Sequence, residues 1–292
     1  MFMRMQDRLL LDIKYAHPEW KMSERQLQEE IQDLYNRVTT PPEYMTLVIA
    51  HCIYNEAEFF KETLMDDLKI NDVDIIHILD GSWRHFDGTP QSTDGTVQII
   101  EEFKQQAEAV GIKVIYESHP EGKIWESESE KRNYQFKRIH EIVGKTPHYI
   151  MVKDGDETIH PMSGKKRFWM KMALLKIFMD SPTKLGMINV NTWFFDANLT
   201  TPRLFPSNED YHYHTERSMT IHDSHCNLIC DYNPTIMNID KTKCFMIPDF
   251  ILINKLNIRN LERQNAKIPF VKHLEKQARK HDICQFNVNN LV

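Results

Sequence analysis

The chain has 292 residues, enough for one large core with extensions, since single cores stop growing near about 250 to 300 residues. No stretch reaches the run of about 18 uncharged apolar residues that a membrane span requires. The balance of 36 basic against 42 acidic side chains, a net charge of −6, argues against nucleic acid or anionic lipid as a partner.

Met1 to Lys21 mixes Arg4, Asp7, Arg8 and Asp12 among its leucines and lacks the apolar h-region of a secretory signal, which predicts a cytoplasmic protein, free or peripheral to a membrane. The five cysteines, Cys52, Cys226, Cys230, Cys244 and Cys284, contain no Cys-x-x-Cys pair and read as buried free thiols. Residues 22 to 38 carry a helix start, with Ser23 as N-cap, Gln26 completing a capping box, and Leu27, Ile31, Leu34 and Val38 on one apolar face. Residues 1–43 thus form an N-terminal helical extension.

From Tyr44 the pattern alternates between strand and helix. Met45 to Ile53 is an apolar run fit for a buried parallel strand, and Glu56 to Leu68 is helical, with Phe60, Leu64 and Leu68 on one face. Val73 to Leu79 is a second strand, and a glycine-bearing loop, Asp80 to Thr96, leads into a helix marked by Val97, Ile100, Phe103, Ala107 and Val110. A strand at Ile112 to Glu117, a helix at about Glu128 to Val143 and a strand at His148 to Lys153 follow. Such βαβ order demands a parallel sheet with helices on both faces.

After Asp154 the order loosens. Pro161 to Met179 reads as an amphipathic helix, Met187 to Phe195 as a strand, Tyr211 to Asp231 as short strands or loops, and Phe270 to His281 as a last helix. Residues 44–160 are expected to form one half of a single domain and residues 161–292 the other.

The sharpest chemical signal is Tyr149-Ile-Met-Val-Lys-Asp154-Gly-Asp156-Glu157, a buried strand ending in three carboxylates within four residues. Ligands of parallel α/β sheets bind at strand carboxyl ends, so these acids project into a site. Their mutual repulsion calls for a hard cation or basic groups, and two carboxylates suit Mg²⁺ or Mn²⁺ carrying substrate phosphates. The bland alternative is a solvated turn in which Glu157 caps a helix. A second signal is Asp80-Gly81-Ser82 at the next strand end, followed by Ser92-Thr93-Asp94-Gly95-Thr96. Asp80 can accept a ring N–H or a ribose hydroxyl there, although Asp-Gly-Ser is also an ordinary turn. Tyr54-Asn55-Glu56 closes the first strand, so three strand ends carry polar groups that can converge on one crevice. A third signal is Glu130-Lys131-Arg132-Asn133 near a helix start, where cations can meet a diphosphate or merely face water.

In this order the pieces resemble the family 2 glycosyltransferases of the GT-A fold, in which strands end in Tyr-Asn-Glu, Asp-Gly-Ser and Asp-x-Asp-Glu with Thr-Asp-Gly-Thr and Lys-Arg-Asn between them. The resemblance covers residues 45 to 160. It implies an α/β, Rossmann-like fold with a mainly parallel central sheet and a UDP-, GDP- or dTDP-linked sugar donor. It also implies Asp80 near the base, Arg132 near ribose or phosphate, and Asp156 as the main ligand of Mn²⁺ or Mg²⁺ beside Asp154. By the same resemblance Tyr54, Asn55, Glu56, Gly81, Ser82 and Lys131 are expected in the same donor site. An insertion, Trp83 to Ser92, splits the usually contiguous Asp-Gly-Ser-Thr-Asp-Gly-Thr and is a candidate lid or acceptor contact.

Relatives place Arg-Leu-Phe before a His-Glu pair whose acid is the general base of an inverting transfer; Arg203-Leu204-Phe205 precedes His222-Asp223 here. Asp223 is the first choice for the base, with Glu209 and Asp210 as the alternative. Relatives also carry a late metal-binding His, absent from Phe245-Met-Ile-Pro-Asp249-Phe250, and His222 or His225 is the candidate replacement. The wider set of His212, His214, His222, His225, Cys226 and Cys230 matches no closed zinc pattern.

Two rival readings stand beside this one. Asp154-Gly-Asp156-Glu-Thr158 is similar to the nucleophile motif of haloacid-dehalogenase phosphatases, but follows three strands and lacks the later acidic pair. A relative that binds a nucleotide sugar without catalysis is the other. The acceptor is open, and the terminal helices leave oligomerisation open.

Overall fold

The computed structural model describes residues 45–84, 88–161, 170–171, 174, 185–192, 195–207, 244–247 and 250–255. The helices expected at 22–38 and 270–281, and the His-rich stretch at 211–231, lie outside the described residues.

The first part alternates as the sequence pattern requires: β1 (Thr46–Cys52), α1 (Phe60–Asp67), β2 (Ile75–Leu79), α2 (Thr96–Ala109), β3 (Lys113–Glu117), α3 (Glu128–Val143) and β4 (His148–Asp154). These strands pair in parallel in the order β3-β2-β1-β4, with Ala50 opposite His77 and Cys52 opposite Asp154. Central parallel strands are covered on both faces and therefore have to be apolar on both. Leu47, Ile49, Tyr149 and Met151 face a core filled by Phe60 and Leu64 of α1 and Ile100, Phe103 and Ala107 of α2. Val48, Ala50, Ile150 and Val152 face Phe136 and Ile139 of α3. Each fully buried Val, Leu, Ile, Phe or Met side chain among these contributes roughly 1.5–3 kcal/mol of burial.

Beyond β4 the sheet continues with β5 (Glu157–Pro161), β6 (Leu185–Thr192), β7 (Phe195–Pro206), β8 (Cys244–Met246) and β9 (Phe250–Asn254). The full order is β3-β2-β1-β4-β7-β6-β9-β5, with β8 beside β6. β7 runs antiparallel to both β4 and β6, and β5 antiparallel to β9. This is an α/β arrangement with a mainly parallel sheet and helices on both faces, as a GT-A fold implies.

Three local expectations are corrected. The helix after β1 starts at Phe60, not Glu56, because Asn55 takes a left-handed φ of 50° and Glu56 N–H is spent on Thr96 Oγ1 at 2.8 Å. Glu157 opens a strand and caps no helix, and Pro161 ends that strand; of the helix expected at 161–179, Lys171 and Leu174 are helical, and residues 162–169, 172–173 and 175–179 lie outside the described residues. The strand expected at 187–195 is β6, which ends at Thr192 and has an antiparallel partner, β7. Cys52, among the described residues, is a buried free thiol, and burial pushes its pKa up. Among the described residues no helix is long and apolar enough to cross a membrane.

Candidate functional site

The carboxyl ends of β1, β2 and β4 lie side by side, and the acidic turn closes the last of them. Glu157 Oε2 accepts the N–H of Asp154 at 2.9 Å, so the third acid of the motif shapes the turn between β4 and β5. Gly155 permits a close approach: a Cβ there would lie 2.7 Å from Glu56 Cγ and 3.0 Å from Ile53 Cγ2. The Tyr54-Asn55-Glu56 segment therefore packs directly on the Asp154–Glu157 turn.

Two buried arginines compensate part of this negative charge. Arg132 of α3 donates from Nη2 to Asp154 Oδ1 at 2.7 Å and from Nε to Glu128 Oε1 at 3.1 Å. Arg203 of β7 donates from Nη2 to Glu157 Oε1 at 2.7 Å and stands 4.0 Å from Asp154 Oδ2. Burial and the Asp154 charge push the Glu157 pKa up to about 7 despite Arg203. Asp154 keeps partial exposure, while Asp156 is buried with its carbonyl bound to Lys255 N–H at 3.1 Å. Arg132 thus answers the carboxylate of Asp154 and Arg203 that of Glu157.

Lys131 and Asp80 take internal roles. The Lys131 ammonium is fully buried and donates to Ile53 O at 2.6 Å and Gly81 O at 2.7 Å, stapling the ends of β1 and β2 together. Burial pulls its pKa down. Asp80 Oδ1 accepts Gly81 N–H and Ser92 O–H, both at 2.6 Å, and Oδ2 accepts Ser92 N–H at 2.8 Å and Tyr116 O–H at 2.9 Å. A carboxylate offers about four acceptor positions, so all are filled.

The described part of the insertion lies across the strand ends. Thr89 N–H donates to the Tyr54 hydroxyl at 2.9 Å, Gln91 Nε2 to the Tyr116 hydroxyl at 2.7 Å, and Thr93 N–H to Asn55 Oδ1 at 2.8 Å. Gly81, at φ +112°, is pinned below: a Cβ would meet Pro90 O at 2.4 Å. Ser82 exchanges backbone bonds with Thr89 and Trp125, and Trp125 Nε1 donates to Asp80 O at 3.2 Å.

The structure therefore brings Tyr54, Asn55, Glu56, Asp80, Gly81, Ser82, Lys131, Arg132, Asp154 and Asp156 to one end of the sheet. The candidate bases Asp223, Glu209 and Asp210 and the candidate ligands His222 and His225 lie outside the described residues. The sequence reading missed Glu128, Tyr116 and the part Arg203 plays. The only signal for Arg203 was its place in Arg203-Leu204-Phe205, and nothing local pairs it with Glu157. Among the described residues no three His, Cys, Asp or Glu side chains converge as a ready-made metal cage. The turn offers instead the hard oxygen donors of Asp154 and Asp156, which suit Mg²⁺ or Mn²⁺ completed by phosphate oxygens and water.

No protein-family model matches the chain, and no curated protein does. Among solved structures it is similar to TarS of S. aureus at 11% identity, covering 84% of this chain and 41% of that one, with a TM-score of 0.44. A TarS fragment, residues 1–349, aligns at 11% identity over 84% of this chain and 68% of the fragment, with a TM-score of 0.45. The same fragment in complex with UDP aligns at 12% identity over 84% and 74%, with a TM-score of 0.42. The chain thus spans about two fifths of the length of the first of these.

Proposed function

We propose that the protein is a metal-dependent inverting glycosyltransferase that moves a sugar from a UDP-, GDP- or dTDP-linked donor to an acceptor hydroxyl. One observation carries the reading: the Asp154–Glu157 turn, flanked by Arg132 and Arg203, lies at the carboxyl end of a parallel sheet against Glu56, with Asp80 at the same end of the sheet after β2, across β1. That is where an α/β sheet presents a phosphate-bearing ligand.

Asp154 and Asp156 are the residues that would hold Mn²⁺ or Mg²⁺, which when bound supplies charge neutralisation to a departing diphosphate. Arg132 adds a fixed positive charge beside the same group. The acceptor oxygen attacks the anomeric carbon, its proton passes to a carboxylate, and the bond from that carbon to the diphosphate oxygen breaks as the nucleotide leaves. Asp223 is the proposed base, with Glu209 or Asp210 as the alternative. Tyr54 and Asn55 anchor the loop that borders the donor, and Asp80, Gly81, Ser82 and Lys131 set the shape of its floor.

The test is isothermal titration of nucleoside diphosphates and nucleotide sugars, with and without Mn²⁺, against wild type and Asp156→Ala. Metal-dependent binding of one nucleotide, lost in the variant, is the expected result. Absence of nucleotide binding under both conditions defeats the reading and brings phosphatase assays forward.

A further inference from the structure

Asp154 is preceded by a residue that a buried central strand has no obvious use for. Lys153 is fully buried on the face opposite Asp154, as strand alternation requires, where Met151 and Ile49 continue the same face as plain hydrocarbon. Its ammonium reaches α1 and donates to Asp67 Oδ1 at 2.5 Å and Thr63 O at 3.0 Å. The second Asp67 oxygen is 2.6 Å from His51 Nε2. An ionised carboxylate only accepts, so His51 carries its proton on Nε2. Burial alone raises the Asp67 carboxyl, but Lys153 and His51 outweigh it and its pKa ends below the usual range.

The neighbouring residue of α1 acts on the other side of the turn. Asp66 Oδ2 accepts the N–H of Ile159 at 2.9 Å, and Lys69, paired with Asp66 Oδ1 at 2.6 Å, donates to Ile159 O at 3.2 Å. Among the described residues β5 pairs with β9 alone, so these contacts occupy the Ile159 amide and carbonyl on its other edge.

We propose that Asp66 and Asp67, the last two residues of α1, are positioning residues that set the acidic turn from the face of the sheet opposite Arg132. Asp67 holds the entrance through Lys153, one residue before Asp154. Asp66 holds the exit through Ile159, two residues after Glu157. Three ionisable side chains without solvent access are expensive, and hydrophobic residues of similar volume would stabilise a core as well or better. What the charged set adds is direction: Lys153 has its bonds to one helix at the last but one ladder position of β4, just before the turn that separates β4 from β5. The proposal rests on the reading of that turn as the donor's diphosphate site.

The test uses the full chain and the charge-balanced double variant Asp67→Asn/Lys153→Met, which removes both charges without stranding either and keeps an amide oxygen to accept the His51 Nε2–H. The expected result is a melting temperature close to wild type, with backbone hydrogen exchange across residues 154–158 faster by about tenfold. Affinity for the best-binding nucleoside diphosphate with Mn²⁺ falls about tenfold, while affinity for the parent nucleoside holds. Wild-type exchange and wild-type diphosphate affinity at an unchanged melting temperature overturn the proposal. Should the double variant fail to fold, Asp66→Ala, which uncovers no buried charge, decides by the same exchange measurement. Should wild type bind no nucleotide, the glycosyltransferase reading falls, and the exchange result still decides whether α1 sets the turn.

Discussion

Arg203 Nη2 lies 2.7 Å from Glu157 Oε1, joining β7 to β5 across the acidic turn with both side chains almost wholly buried. Removing one member of such a pair leaves an uncompensated buried charge. Arg203→Ala is expected to cost about 3 kcal/mol of stability in denaturant unfolding, whereas Arg203→Met with Glu157→Gln costs less than the single change. Equal losses in both would mean that the ion pair contributes nothing beyond packing.

Lys131 is expected to behave as a staple. Lys131→Met leaves Ile53 O and Gly81 O without their donor and should lower stability by about 3 kcal/mol, while the exposed Lys137→Met on the same helix changes it little. Unfolding curves of the two variants settle the contrast.

Glycine at 155 is required by contact. Gly155→Ala drives a Cβ against Glu56 Cγ at 2.7 Å and Ile53 Cγ2 at 3.0 Å, so the turn or the buried Glu56 side chain has to shift. A loss of about 2 kcal/mol is expected from overpacking, with a matching loss of nucleotide affinity in titration. A variant that melts and binds as wild type does would show that the two segments move independently.

Ser92 ties the insertion to two strand ends, donating to Asp80 Oδ1 and accepting Asn55 N–H at 2.7 Å. Ser92→Ala removes both bonds and should destabilise by about 2 kcal/mol. Limited proteolysis should then cut the 83–92 segment faster than in wild type, and an unchanged cutting rate would show that Ser92 does not restrain it.

Two buried groups pull stability in opposite directions in mild acid. Burial is the main cause that holds His148 down to about 4, with His140 as a lesser one, so the folded state binds fewer protons than the unfolded. Its contribution is complete above the unfolded value of about 6.5 and is lost as pH falls through that value toward about 4. Glu157 is pushed up to about 7, so the folded state binds more protons there, and stability rises as pH falls from about 7 to about 4.5. Wild type should therefore show a shallow pH profile in this range. His148→Gln should gain stability on acidification, and a profile parallel to wild type would refute the His148 assignment.

Much of the fold follows from local pattern. The apolar runs of β1 and β4, the helical spacing of Ile100, Phe103 and Ala107, and the cap of α3 by Ser127, whose Oγ accepts Glu130 N–H at 3.0 Å, are short-range features readable one segment at a time. The placement of the Asp154–Glu157 turn at a strand end followed from the same logic, because a buried parallel strand cannot continue through consecutive carboxylates.

Long-range partners are another matter. Residues so far apart in the chain become neighbours only when the sheet order is set, so no pattern around Arg203 announces Glu157, and none around Lys153 announces Asp67. Lys131 and Asp80 show the converse: their residue types suit a phosphate and a base, and the tertiary structure gives them carbonyls and hydroxyls of the protein itself. The sequence by itself determined which segments are strands and helices in the first half and which strand ends carry chemistry, since periodicity and capping are local. Only the tertiary structure decided which charges answer one another there, because a buried charge takes its partner from whatever the fold places within hydrogen-bond reach.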